Sequence, residues 1–148
     1  MEKAIILAVW ASYLALQAIY DGKMWYLARK DERTVESLKT HPHVISITSR
    51  IMVALLLSLL LRLIEHETFW QQIKSVIGLG AMLPLIFDGV YYETRKRIDA
   101  PKGYWFFGQS TTSTGTIDFK PVMRIVLFII GILFYFFHEH IDISWGGF

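Results

Sequence analysis

The sequence predicts an all-α integral membrane protein. Four transmembrane helices form two tandem helical hairpins, related by a pseudo-two-fold axis along the membrane normal. Three observations lead there. Hydrophobic residues make up 53% of the 148 and are gathered into blocks. The blocks lack the polar stripe of a water-soluble helix. The same polar landmarks also recur, in the same order, in each half of the chain.

The blocks run Ala4–Tyr20, Ile51–Leu61, Ser75–Phe87 and Ile125–Phe137. With short polar caps, each approaches the roughly 20 residues a helix needs to cross a bilayer. Arg62, Lys74 and Arg124 fall near block ends, where long basic side chains snorkel to the interface. A soluble four-helix bundle is excluded by stretches such as "IMVALLLSLLL" and "IVLFIIGILFYFF", which are apolar all round. Block one has no net-positive start, because Glu2 offsets Lys3, and no clear small-residue cleavage site, so it is expected to remain a helix of the mature protein. The chain has no cysteine, which removes disulfides, thiolate metal sites and cysteine nucleophiles.

Charge sets the expected orientation. The segments Tyr20–Arg50 and Tyr91–Arg124 each hold six Lys or Arg. With Asp88, that side carries twelve basic and eight acidic residues, a net +4; the other side has three against five, a net −2. The positive-inside rule then makes the two long connections cytoplasmic and puts both termini and the Glu65–Lys74 turn outside, in a multi-pass protein of the plasma (inner) membrane. Trp10, Trp25, Trp70, Trp105 and Trp145 mostly lie near block ends, where interfacial belts form.

The internal repeat divides the chain into units 1–67 and 68–148. "YDGKMWYLARK" begins at Tyr20 and "FDGVYYETRKR" at Phe87, an offset of 67. "RIMVALLLSLLLRLIEH" begins at Arg50 and "RIVLFIIGILFYFFHEH" at Arg124, an offset of 74. Shared Asp-Gly, Arg-Ile and Glu-His landmarks point to duplication of a two-helix hairpin, with both copies in the same orientation. Asp21, Asp88, Arg50 and Arg124 all fall where hydrocarbon meets cytoplasm. A carboxylate there needs a cation beside it. The expectation is two equivalent pairs, Asp21 with Arg50 and Asp88 with Arg124, or the crossed pairing. They act either as a structural clamp or as part of a polar pathway. Gly22 and Gly89 are expected to let a neighbouring helix approach. Pro84 should kink its helix one turn before Asp88, where the first unit has Gln17 one turn before Asp21.

Other features carry their own expectations. Helix 1 should project into the cytoplasm and end near Thr40, with His41-Pro42-His43 as a turn. The basic pairs Arg29-Lys30 and Lys96-Arg97 suit anionic lipid headgroups. Nucleic acid is not an expected partner, since acids interleave with the bases. "GYWFFGQSTTSTGT" is either an interfacial anchor with a solvated loop, or a loop folding back over the inner mouth and offering Ser110, Thr111, Thr112 and Ser113 to an ion or phosphate. Glu65, His66, His138, His140 and Asp142, all outward, have side chains suited to a metal such as zinc, iron or copper. No Ser-His-Asp order, phosphate loop or HExxH motif is present.

Three functions follow as alternatives. The first is an oligomeric channel or transporter-like protein with Asp21, Asp88, Arg50 and Arg124 along its polar pathway. The second is a scaffold or accessory subunit of a membrane complex, binding a partner through its cytoplasmic loops. The third is a metal-binding membrane enzyme using the His/Glu cluster; no other cofactor is required.

Overall fold

The computed structural model describes residues 1–30, 41–99, 106–107 and 120–137. These are helical almost throughout, with no strand among them. The elements are α1 (Glu2–Lys30), α2 (His41–Glu65), α3 (Phe69–Leu83), a single π turn (Pro84–Asp88), α4 (Gly89–Asp99) and α5 (Pro121–Phe137). α3, the π turn and α4 follow one another without a break.

Three helical stretches among the described residues are long and apolar enough to cross a membrane: Glu2–Met24, Ile47–Glu65 and Phe69–Ile98. α5 is an apolar helix of 17 residues. The outward faces agree with that composition. On α2, Ile51, Met52, Leu55, Leu56, Leu59, Leu60, Leu63 and Ile64 are all exposed, and α5 exposes Val122, Val126, Ile129 and Leu133. An apolar surface this extensive belongs against lipid or another protein.

His41-Pro42-His43 forms the first turn of α2 rather than a separate turn. Proline suits that position: its fixed φ is helical and its missing N–H has no intrahelical partner there anyway. α2 ends at His66, whose φ of 54° is left-handed. Thr68 then starts α3 through a reciprocal cap. Its hydroxyl accepts from the Gln71 amide at 3.3 Å, while the Gln71 side-chain oxygen accepts from the Thr68 amide at 2.7 Å. Thr68→Ala is expected to lower stability by about 1 kcal/mol, measured as a shift in the detergent-unfolding midpoint.

The core is built from Ile6, Trp10, Leu14, Ala54, Leu61, Leu79, Met82 and Tyr135. Trp10 is wholly buried, and its indole N–H donates to the Leu79 carbonyl at 3.0 Å. That bond satisfies a polar group that would otherwise sit bare in an apolar interior. The closest helix crossing joins α3 and α5 at Gly78 and Gly131. A Cβ on Gly131 would stand 2.7 Å from the Gly78 carbonyl oxygen. α1 meets α4 at Gly22, where an added Cβ would lie 3.1 Å from the Thr94 methyl. At Gly89 the atoms nearest to an added Cβ belong to the ring of Phe106.

Candidate polar site at one end of the bundle

The site grows from α1. Tyr13, Gln17 and Asp21 are four residues apart, so they share one face. α2 places Ser49 and Arg50 opposite them. The Tyr13 hydroxyl donates to Ser49 Oγ at 3.1 Å, and Gln17 Nε2 donates to the same oxygen at 3.1 Å. Arg50 Nε donates to Gln17 Oε1 at 3.0 Å, and Arg50 Nη2 reaches Asp21 Oδ2 at 3.2 Å. A continuous hydrogen-bonded chain thus runs from Asp21 to Tyr13, about 12 Å along the helix axis. Its members are only partly buried.

A second acid and arginine, Asp88 at the end of the π turn and Arg124 on α5, lie nearby. Arg124 Nε lies 3.7 Å from Asp88 Oδ2, an electrostatic contact longer than a hydrogen bond. The Arg124 side chain is fully buried, and its guanidinium stands 4.9 Å from the centroid of the Tyr92 ring. Arg50 stacks on Phe87 at 3.4 Å, so a cation of α2 rests on a ring of the π turn. Arg50 is also within electrostatic reach of Asp88. The structure therefore pairs Asp21 with Arg50 and Asp88 with Arg124 and brings the two pairs to one end of the bundle.

The pairs are not equal, and sequence accounts for the difference. The repeat offsets match Tyr13 with Gly80, Gln17 with Pro84 and Ser49 with Met123. None of the second-unit residues offers a side-chain hydrogen bond of the same kind. Arg50 is therefore held by a chain that includes Gln17 and Asp21, while Arg124 is buried against the Tyr92 ring with Asp88 at 3.7 Å.

The opposite end of the bundle carries a second polar group. Lys3 Nζ lies 3.4 Å from Glu65 Oε2 and 3.7 Å from Glu67 Oε1. The Tyr135 hydroxyl donates to the Lys3 carbonyl at 3.0 Å, and Arg62 Nη1 donates to Gln72 Oε1 at 3.0 Å. Between the two ends lies the apolar core of Trp10, Leu14, Leu61, Leu79 and Met82.

The candidate metal ligands are divided. Glu65 is paired with Lys3, and His66 forms the left-handed turn residue. His138, His140 and Asp142 lie outside the described residues, as do Ser110, Thr111, Thr112 and Ser113. Among the described residues, no group of three or more His, Cys, Asp or Glu converges on a common point. Tyr13 and Ser49 were not singled out by sequence reasoning; Phe87 and Tyr92 stood out only as the aromatics flanking the second Asp-Gly. The spacing of Tyr13, Gln17 and Asp21 was the available signal for the first of these.

Comparison of the chain with protein-family models, with curated proteins and with solved structures finds no significant match.

Proposed function

We propose that this chain is a four-span protein of the plasma membrane, built from two tandem hairpins, that contributes the inner part of a polar pathway for an ion or small polar solute. The observation that carries the reading is the hydrogen-bonded chain Asp21–Arg50–Gln17–Ser49–Tyr13. A clamp needs only the ion pair. Here the polar groups continue inward, to the middle of an apolar span, at partly exposed positions. Each polar group placed at that depth costs free energy unless it is satisfied, so a run of them favours passage over simple anchoring. α5 supplies the fourth span once its polar flanks are included, and the two long connections face the cytoplasm by charge.

The Trp10–Leu14 core fills the middle of the protomer. The pathway therefore passes between copies in a homo-oligomer, or opens by a movement of the core. Liposome flux tests the reading. Wild-type protein is expected to pass a small monovalent ion, and Asp21→Asn and Asp88→Asn to reduce that passage severalfold. Equal flux from all three proteins, or none from any, would sink the pathway.

A second reading, a scaffold or accessory subunit with a fixed polar clamp, draws on the stacking of Arg50 against Phe87 at 3.4 Å, which suits a rigid joint. Copurification of a stoichiometric partner without any flux would favour it.

A further inference from the structure

We propose that three lysines, Lys23, Lys96 and Lys120, form a rim that binds the anionic headgroups of phospholipids at the end of the bundle that carries Asp21 and Asp88. The inference goes beyond the pathway reading and stands whether or not the protein conducts.

The three lysines come to one level from three helices. Lys23 stands just before the end of the apolar stretch Glu2–Met24, and Lys96 just before the end of Phe69–Ile98. Gly22 packs on Thr94, which sets those two ends side by side. Lys120 immediately precedes α5. α5 runs antiparallel to α3, since Gly131 meets Gly78 while Arg124 meets Asp88. The Arg124 guanidinium lies 4.9 Å from the centroid of the Tyr92 ring. Lys96 is one turn beyond Tyr92 and Lys120 one turn before Arg124, so both step off the same level in the same direction.

All three lysines are exposed, and among the described residues none has an acid within ion-pair distance. Asp21, Asp88 and Glu93 are already taken, by Arg50, Arg124 and Arg97 in turn. Arg97 thus spends its charge on Glu93 at 3.3 Å and stands apart from the rim. The opposite end is built differently: there Lys3 lies between Glu65 and Glu67, and Arg62 donates to Gln72.

The surroundings decide the kind of anion. Tyr20, Lys23 and Leu27 share one face of α1, and both flanking residues are exposed. Lys120 is followed by exposed Val122 and Met123. A cation set among exposed apolar side chains at the end of a span matches a molecule with an acyl chain on one side and a negative headgroup on the other. Inorganic phosphate would leave that apolar surface uncovered.

Spin-labelled lipids test the rim, with full-length protein in phosphatidylcholine vesicles. Wild type is expected to select spin-labelled phosphatidylglycerol over spin-labelled phosphatidylcholine severalfold, and added salt to weaken the preference. Lys23→Gln/Lys96→Gln/Lys120→Gln should abolish it, and Lys23→Arg/Lys96→Arg/Lys120→Arg should keep it. Arg97→Gln/Glu93→Gln, which removes an ion pair at no change of net charge, should leave it as it is. These positions are on the surface, so the variants are expected to fold. No preference in wild type overturns the rim, and so does a preference that survives the three glutamines. Displacement of the lipid by inorganic phosphate, beyond that by chloride at equal ionic strength, would make the ligand a free anion. Lysine-dependent capture of polyglutamate without selection of phosphatidylglycerol would assign the lysines to an acidic protein instead.

Discussion

Arg124→Met is expected to destabilise the protein more than any other substitution at the polar end, by about 3 kcal/mol, the lower bound for breaking a buried ion pair. The Arg124 side chain is fully buried, while the Asp88 side chain keeps 23% of its exposure. Methionine fills much of the same volume, so lost packing is a small part of the effect. The larger part is the Asp88 carboxylate, left at the edge of an apolar interior without its own arginine. Arg50, within electrostatic reach of Asp88, offsets some of the loss and keeps the figure at the low end. The double variant Arg124→Met/Asp88→Leu is expected to recover most of the stability, because an apolar pair replaces an ion pair at little net cost. Reversible unfolding in mixed micelles measures all three proteins. If the double variant is as unstable as the single one, the pair is not what Arg124 contributes. Arg50→Met should cost less. The two acids are equally exposed, Asp21 at 24% and Asp88 at 23%, but Arg50 keeps 11% of its exposure where Arg124 keeps none, so water reaches the place Arg50 would vacate more readily.

The contrast between these two arginines marks what could be read from sequence alone. Asp-Gly and Arg-Ile landmarks at fixed offsets were enough to expect each acid beside an arginine, but left open whether the pairing ran Asp21 with Arg50 and Asp88 with Arg124 or crossed over. Apolar blocks were enough to place the helices, because burial and lipid exposure both demand apolar residues at every position of a span. Depth of burial within the bundle was not legible. Arg50 and Arg124 each open an Arg-Ile phrase followed by an apolar run, yet one is part-exposed and the other enclosed. Their partners are distant in sequence: Gln17 for one, Tyr92 for the other. Pro84 pointed to a disturbed helix, but a kink and a π turn satisfy a missing N–H equally well on paper. The turn places Phe87 against Arg50, a contact that depends on three-dimensional neighbours. Gly89 was read as a helix-packing glycine by analogy with Gly22. The atoms nearest to an added Cβ there belong to Phe106, from a connection that has no counterpart of equal length in the first unit. At the far end, Lys3 and Tyr135 are 132 residues apart, and no local pattern connects them.

The glycines supply the second large effect, and here one chemical change should give opposite signs at two sites. Gly131→Ala is expected to destabilise by about 1–3 kcal/mol, and Gly131→Leu to prevent the α3–α5 pairing altogether. The added Cβ at Gly131 would meet the Gly78 carbonyl oxygen and Met82 Cγ at 2.7 Å each, and the Met82 amide nitrogen at 3.1 Å. The methionine side chain can move aside. The two backbone atoms cannot move unless the helices part, and parting them uncovers Leu79, Met82 and Tyr135 together. Gly80 stands two residues along α3 from Gly78, on the exposed side, with nothing within 4 Å of an added Cβ. Gly80→Ala therefore gains helix propensity without a clash and is expected to stabilise by up to about 1 kcal/mol. That same propensity gain works at Gly131, so the measured loss there understates the steric term. Thermal unfolding of both variants in one detergent separates the contributions. Two shifts of the same sign would mean that α3 and α5 do not cross at these glycines, and the burial of Tyr135 and the enclosure of Arg124 on the same helix would then lose their common cause.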